Sequence, residues 1–178
     1  MNTITFDFKD GNGPVPAHQH PNGGGWVADI ATVDKTAHVG SYAKVYGNAK
    51  VHGHAVLSGN AEAFGDAEVS DNAMVHGDAV VHGHAKLSGN AEVSGDSKVY
   101  GNAEVSGDSK VYGNAEVFGN ACLSGNACLS GYAKVSGYAK VSGNAKVHGN
   151  AVLSRNAEVS GYAEVFGNAC LSGYAKVS

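Results

Sequence analysis

The stretch "GDSKVYGNAEVSGDSKVYGNAEVFGNACLSGNACLS", residues 95–130, repeats a six-residue word, Gly-Asn/Asp-Ala/Ser-x-Val/Leu-x, with nothing between the copies. Inside each word, the alternation Ala-x-Val is typical of a strand that turns a small and a branched residue to the same side. The Gly-Asn and Gly-Asp pairs that follow are turn residues. Each word therefore predicts a strand of about three residues followed by a corner.

The word keeps its phase far beyond this stretch. A small residue stands at every sixth position from 31 to 175, and only Ser97 and Ser109 replace alanine there. Val or Leu follows two residues later each time, with Ala63 as the one departure. Strands this short, separated by corners, do not make an ordinary sheet, but they can form the sides of a parallel β-solenoid. Residues 31–178 are predicted to be this solenoid, and residues 1–30 to be a separate N-terminal cap.

The length of one coil can be read from the outward positions. If three words close a triangular coil, residues 18 apart stack at about 4.8 Å, the spacing between strands. The outward residues then sort into columns of one type, which is the reason for preferring the 18-residue coil. One column alternates in charge: Lys50, Glu68, Lys86, Glu104, Cys122, Lys140, Glu158, Lys176. A second column begins with ring-bearing side chains and continues with serine: Tyr46, Phe64, His82, Tyr100, Phe118, Ser136, Ser154, Ser172. A third column is serine after its first residue: His52, Ser70, Ser88, Ser106, Ser124, Ser142, Ser160, Ser178.

The words "VYGNAE" (99–104) and "VHGNAV" (147–152) resemble the repeat of the hexapeptide-repeat family of left-handed parallel β-helices. The resemblance covers roughly residues 31–178 and implies an all-β, left-handed parallel β-helix. Glycine stands two places after the aliphatic residue, where many family members have a small residue directly after it. Together with "HQHPNGGGWVAD" (18–29), the word is similar to uncharacterised repeat proteins of enterobacteria and prophages.

The first residues do not follow the repeat. "TITFDF" (3–8) alternates as a strand and places Ile4, Phe6 and Phe8 on one side. Trp26, the only tryptophan, stands where the array begins. These four residues are predicted to cap the first coil, and an oligomerisation or attachment segment is the alternative.

Composition excludes several classes of function. The net charge of -4 gives no basic patch for nucleic acid, and no apolar run is long enough to span a membrane. No secretory signal heads the chain, so a cytoplasmic location, or a virion if the protein is phage-encoded, is expected. An odd number of cysteines, three, argues against a disulfide framework.

The array ends within a word, "GYAKVS", and an uncovered solenoid end is an open strand edge. We therefore expect the C-terminal coil to be covered by another subunit of a homo-oligomer, which the resemblance implies is a trimer, or by a partner protein. The favoured function is a non-enzymatic rod or scaffold that assembles with other subunits, without a cofactor. The resemblance implies an alternative, an acyl-CoA-dependent acyltransferase active as a trimer with a catalytic histidine, although the unbroken phase leaves no room for that family's protruding loop.

Candidate chemistry in the repeat is sparse. The nine histidines fall on different columns or far apart, no fixed histidine–carboxylate pair is evident, and no catalytic residue is assigned. His18 and His20 are metal-ligand candidates, since alternate residues of an extended chain face one way and could both bind one ion. The alternative is a site on a symmetry axis, with one histidine from each of three chains. Cys122, Cys128 and Cys170 all take the outward mid-strand position, and the first two lie on adjacent faces, too far apart for a disulfide.

The ring-bearing part of the second column has more potential. It forms a strip that could bind a partner protein, and its members are the interface candidates; the alternative is corner stacking that only stiffens the solenoid. These candidates are Tyr46, Phe64, His82, Tyr100 and Phe118.

Overall fold

The computed structural model describes residues 4–178 and contains, within that range, 28 strands and no helix. Nearly all strands have two residues, because the Ala-x-Val alternation lasts only until the next glycine corner. In chain order the strands are β1 (Thr5–Phe6), β2 (Val15–Gln19), β3 (Trp26–Ala28), β4 (Thr32–Val33), β5 (His38–Val39), β6 (Lys44–Val45), β7 (Lys50–Val51), β8 (Val56–Leu57), β9 (Glu62–Ala63), β10 (Glu68–Val69), β11 (Met74–Val75), β12 (Val80–Val81), β13 (Lys86–Leu87), β14 (Glu92–Val93), β15 (Lys98–Val99), β16 (Glu104–Val105), β17 (Lys110–Val111), β18 (Glu116–Val117), β19 (Cys122–Leu123), β20 (Cys128–Leu129), β21 (Lys134–Val135), β22 (Lys140–Val141), β23 (Lys146–Val147), β24 (Val152–Leu153), β25 (Glu158–Val159), β26 (Glu164–Val165), β27 (Cys170–Leu171) and β28 (Lys176–Val177).

The strands form three sheets, which are the three faces of the coil. Face 1 contains β1, β2, β3 and every third strand from β6 to β27; face 2 runs from β4 to β28, and face 3 from β5 to β26. Glu68, for example, pairs in parallel with Lys50 on one side and with Lys86 on the other. Neighbouring strands on a face are thus 18 residues apart, so the predicted all-β parallel solenoid with 18 residues per coil is confirmed.

Parallel pairing begins earlier than predicted. β3 already pairs in parallel with β6, with Trp26 beside Lys44 and Val27 beside Val45. Gly25 is buried at the place that alanine takes in later words, and a Cβ there would lie 2.3 Å from the carbonyl oxygen of Gly40. One arm of the solenoid, residues 25–27, therefore precedes residue 31, and the pattern of inward alanines does not reveal it because glycine stands in place of alanine there.

The interior is a stack of small and branched side chains. From Ala37 to Val159 the inward alanines, valines and leucines are 0–1% exposed. Each buried Val or Leu contributes roughly 1.5–3 kcal/mol before the conformational entropy is subtracted. The two inward serines are also fully buried, and each donates its hydroxyl to a carbonyl three residues earlier: Ser97 to Ser94 at 2.7 Å and Ser109 to Ser106 at 2.7 Å.

The corners depend on glycine for two reasons. Gly107 has φ +69, and a Cβ on it would lie 2.7 Å from the carbonyl oxygen of Gly125 in the next coil. From residue 47 onward, Asp71 and Arg155 are the two residues at this corner position that are not glycine, and they have φ 61 and 60. Next to the glycines, side chains at the corners form hydrogen bonds from one coil to the next; the Asn60 side-chain amide, for example, donates to the Asp78 carboxylate at 2.8 Å.

The N-terminal segment, residues 4–25, extends face 1 and crosses face 3. β1 pairs antiparallel with β2, and β2 pairs antiparallel with β3, so the outer edge of β3 is covered. On face 3, the N–H of Val39 donates to the carbonyl of Asn22 at 2.9 Å. The predicted strand 3–8 is shorter than expected: β1 covers only Thr5–Phe6, and Thr3 lies outside the described residues.

Ile4 does not join the other members of the predicted cap. It is 62% exposed, whereas Phe8 is buried and Phe6 and Trp26 are half-buried. The strand ends at Phe6, so the alternation that grouped Ile4 with both phenylalanines does not extend across the whole stretch.

Candidate functional site: an aromatic ladder and an open coil edge

The ring column forms one continuous ladder on the outside of face 1. Centroid separations are 4.8 Å for Tyr46–Phe64, 4.8 Å for Phe64–His82, 5.1 Å for His82–Tyr100 and 5.0 Å for Tyr100–Phe118. The rings stack because each residue follows an inward residue of face 1 and the coils repeat at the strand spacing. Tyr46 is buried and the other four are half-buried.

The N-terminal segment adds rings to the top of this ladder. Phe8 stacks on Tyr46 at 4.8 Å, Phe6 meets Phe8 edge-on at 4.9 Å, and Phe6 stacks on Trp26 at 4.4 Å. The residue one coil before Tyr46 is Ala28, which has no ring, so Phe8 fills that level from another strand. Sequence reasoning missed this connection; an alanine at the head of an aromatic column was the available signal.

Stacking leaves the ladder little free ring face. The interior rings have a neighbour on both sides, so a partner could reach only their edges. Tyr46 donates its hydroxyl to Glu62 at 3.0 Å, and its burial, together with the Glu62 charge, raises the pKa of Tyr46. Burial between Phe64 and Tyr100, with Lys98 nearby, lowers the pKa of His82. The ladder thus favours a neutral imidazole at this level.

The charge column on face 2 is in register, but most of its charges do not form close ion pairs. Within residues 4–178, four Lys–Glu ion pairs are present, and only Lys176–Glu158, at 2.9 Å, belongs to that column. The other three lie on faces 1 and 3: Lys44–Glu62 at 2.8 Å, Lys110–Glu92 at 3.0 Å and Lys134–Glu116 at 3.4 Å. The alternation of charge along this column therefore indicates that residues 18 apart are neighbours, but it does not indicate which of them form ion pairs.

The expectation that no fixed histidine–carboxylate pair exists was wrong. His76 Nε2 lies 3.0 Å from Glu92 Oε1, and His148 Nε2 lies 2.8 Å from Glu164 Oε1. Both pairs join residues 16 apart, because a residue beside a corner reaches diagonally to the mid-strand residue of the next coil. His76, with Lys110, lowers the pKa of Glu92. No cavity was found in the described part of the chain, so these pairs lie on an open surface.

His18 and His20 take different partners. His18 is exposed, and its Nδ1 lies 2.9 Å from Asp29 Oδ1. His20 is buried at 3% exposure, and its Nδ1 lies 3.2 Å from the carbonyl oxygen of Asn22. β2 ends at Gln19, so the two histidines do not share one extended strand. Among residues 4–178 no cluster of three or more His, Cys, Asp or Glu side chains is arranged for a metal ion.

The three cysteines are free thiols on three different faces. Cys122 is on face 2, Cys128 on face 3 and Cys170 on face 1. Burial is the main cause that raises the pKa of Cys122. Cys128 Sγ lies 3.5 Å from the Tyr112 hydroxyl, and Cys170 is exposed.

The open edge of coil 161–178 is the second surface. Within the described part of the chain, its strands β26, β27 and β28 each pair with one strand, which belongs to the preceding coil. Inward residues lose their cover: Val177 is 37% exposed and Leu171 is half-buried. Phe166 and Tyr174 beside the corners are 62% and 82% exposed.

Comparison with known proteins gives one match. Residues 67–83 match the YdcK Beta solenoid repeat family. The match is shorter than one coil, so it supports the repeat and the fold: the chain is a β-solenoid repeat protein. No curated protein and no solved structure matched the chain. Of the residues that the structure describes, none forms a helix that could cross a membrane.

Proposed function

We propose that this protein is a non-enzymatic rod, a left-handed solenoid on the resemblance of its repeat, that docks to another protein subunit through the edge of coil 161–178. A β-solenoid repeat protein fits a structural role. Its setting, on the same resemblance, would be a bacterial cytoplasm or a phage particle.

The open edge is the observation that carries the proposal. The preceding coil donates to this one: Glu158 N–H donates to the Ala175 carbonyl at 2.8 Å, and Ser160 N–H donates to the Val177 carbonyl at 2.9 Å. The equivalent N–H groups one coil later, those of Lys176 and Ser178, face the open side, and no strand among residues 4–178 receives them. A row of free N–H and C=O groups beside partly exposed apolar residues is a template for pairing with another chain.

Substituting Lys176 tests this docking. Proline at an edge position removes one N–H from pairing and is tolerated within its own chain, whereas threonine keeps the N–H. Both Lys176→Pro and Lys176→Thr lose the ion pair to Glu158, so the two variants differ at the backbone. By light scattering after size exclusion, the wild type and Lys176→Thr are expected above the monomer mass of 18.0 kDa, and Lys176→Pro at or near it. A wild-type mass of 18.0 kDa at every concentration would overturn self-association.

A further inference from the structure

We propose that the partner at this edge is a second copy of the same chain, held end to end by a two-fold axis perpendicular to the solenoid. This inference rests on the docking proposed above. It specifies the symmetry of the interface and the residues that meet there.

The opposite end of the solenoid is unsuitable as the partner surface. On face 1 the outer edge of β3 is already occupied by β2. On face 3 the segment from Asn22 crosses the edge of β5, where Gly24 also bridges Gly40. On face 1, β2 and β1 extend the sheet two strands beyond β3, whereas face 2 ends at β4, so these two edges do not lie at one level. A head-to-tail contact could not pair on all three faces at once, so a closed pair is favoured over an open-ended filament. A trimer with parallel solenoid axes, which the resemblance implies, joins the sides of the rods and leaves this edge uncovered.

Two-fold symmetry fixes which faces meet. Coil 161–178 has one three-residue arm on each face: 163–165 on face 3, 169–171 on face 1 and 175–177 on face 2. A two-fold rotation reverses the direction of the chain, so the first arm of one copy faces the last arm of the other. The middle arm faces its own equivalent. All three pairs of arms are then antiparallel.

The register is defined by placing the middle residues of each two opposed arms directly opposite each other. Cys170 then lies opposite Cys170 of the second copy, and Glu164 lies opposite Lys176 of the second copy. These are the residues whose N–H and C=O groups face the open side, since the alternate residues face the preceding coil, as Lys146 N–H donating to Ala163 carbonyl shows. Each opposed pair can therefore exchange two backbone hydrogen bonds.

The side chains suit this register. Glu164 on face 3 meets the opposite charge of Lys176 on face 2, and the symmetry makes this contact twice. Inside the prism, every inward alanine of the coil meets an inward Val or Leu of the second copy, so small residues oppose larger ones. The inward pairs are Ala163–Val177, Ala169–Leu171 and Ala175–Val165.

A reversed-charge series tests the assignment. Glu164→Lys alone or Lys176→Glu alone places like charges opposite each other twice, and each is expected to weaken the dimer about 10- to 100-fold, at two pairs of about 1 kcal/mol each. The double variant restores opposite charges and is expected to recover the dimer. The double variant still lacks the contacts of Glu164 with His148 and of Lys176 with Glu158, so recovery reports the contact between copies.

Cross-linking supplies an independent readout. Hydrogen-bonded antiparallel partners have Cα atoms about 5.5 Å apart, which suits a disulfide. With diamide as the oxidant, which accepts two electrons and two protons from the two thiols, the wild type is expected to give a covalent dimer on a non-reducing gel. Cys170→Ser should abolish that band, and Cys122→Ser and Cys128→Ser should retain it.

The outcomes separate the two proposals. A monomeric wild type contradicts self-association at this edge, on which the two-fold pair depends. An assembled wild type whose mass differs from two chains, whose charge-reversed double variant stays dissociated, or whose cross-link survives Cys170→Ser contradicts the two-fold register and leaves docking at the edge in place.

Discussion

The corner glycines allow backbone strain to be separated from stacking between coils. Gly107 and Gly167 have nearly the same φ, +69 and +67. A Cβ on Gly107 would lie 2.7 Å from the Gly125 carbonyl oxygen, whereas a Cβ on Gly167 would meet nothing within 4 Å. Gly107→Ala therefore combines strain with a clash, and Gly167→Ala introduces strain alone.

The expected magnitudes follow from these contacts. A non-glycine residue at positive φ costs about 1–2 kcal/mol, of which roughly 0.4–1 kcal/mol is offset because alanine has less freedom in the unfolded chain. Forcing the next coil away adds about 1–3 kcal/mol. Gly107→Ala should lower the free energy of unfolding by about 1–4.5 kcal/mol, and Gly167→Ala should lower it by about 0–1.5 kcal/mol.

Amide hydrogen exchange is the suitable assay, because a terminal coil can open without the rest of the solenoid. Local opening free energies would be compared for peptides that span each substitution, at a protein concentration where the chain is monomeric. Urea unfolding of Gly107→Ala gives a second measure of its larger loss. Equal losses at the two glycines would refute the role of coil-to-coil stacking and leave φ as the only reason for glycine.

Five further variants test the ladder and the corners. Tyr100→Ser removes two stacks and Phe118→Ser one, so urea unfolding should show losses of about 1–3 and 0.5–1.5 kcal/mol; equal losses would contradict stacking as the cause. Because the pKa of His82 is lower in the folded chain than its ordinary 6.5, the unfolded chain binds the proton first, and stability falls as the pH drops below 6.5. His82→Phe should flatten that fall, by at most about 1.4 kcal/mol per pH unit, in unfolding curves from pH 8 to 5. Arg155→Gly relieves positive φ and should raise the melting temperature. Asp71→Gly should not, because it loses the bond from Gly89 N–H to Asp71 Oδ2 at 2.9 Å, and a rise there would refute this account.

The ladder illustrates how far the column analysis reaches. Rings from Tyr46 to Phe118 could be placed in one column from their 18-residue spacing, because stacking is a consequence of the coil length alone. The spacing carried no information on Phe8, which reaches the ladder from a strand outside the repeat. That contact depends on how residues 4–25 fold back along face 1, and no period in the sequence describes it.

The histidine pairs show the same limit at closer range. Columns compare residues 18 apart, whereas His76 and Glu92 are 16 apart and meet across a diagonal. The corner-side rotamer decides whether a side chain leans along the strand or toward the next coil. Ion pairing was likewise decided by side-chain direction, which explains why the alternating column on face 2 contains only one close pair.

The sequence by itself determined the fold, the coil length, the inward residues and the glycine corners, because each follows from a phase that every word repeats. Only the tertiary structure decided how the N-terminal segment covers two faces, which charges pair, and which edge stays open. These features depend on single contacts between parts of the chain that share no period. The edge of coil 161–178 combines the two kinds of feature. Its pattern of Ala, Val and charged residues comes from the repeat, and its exposure comes from the absence of a neighbouring coil among the described residues.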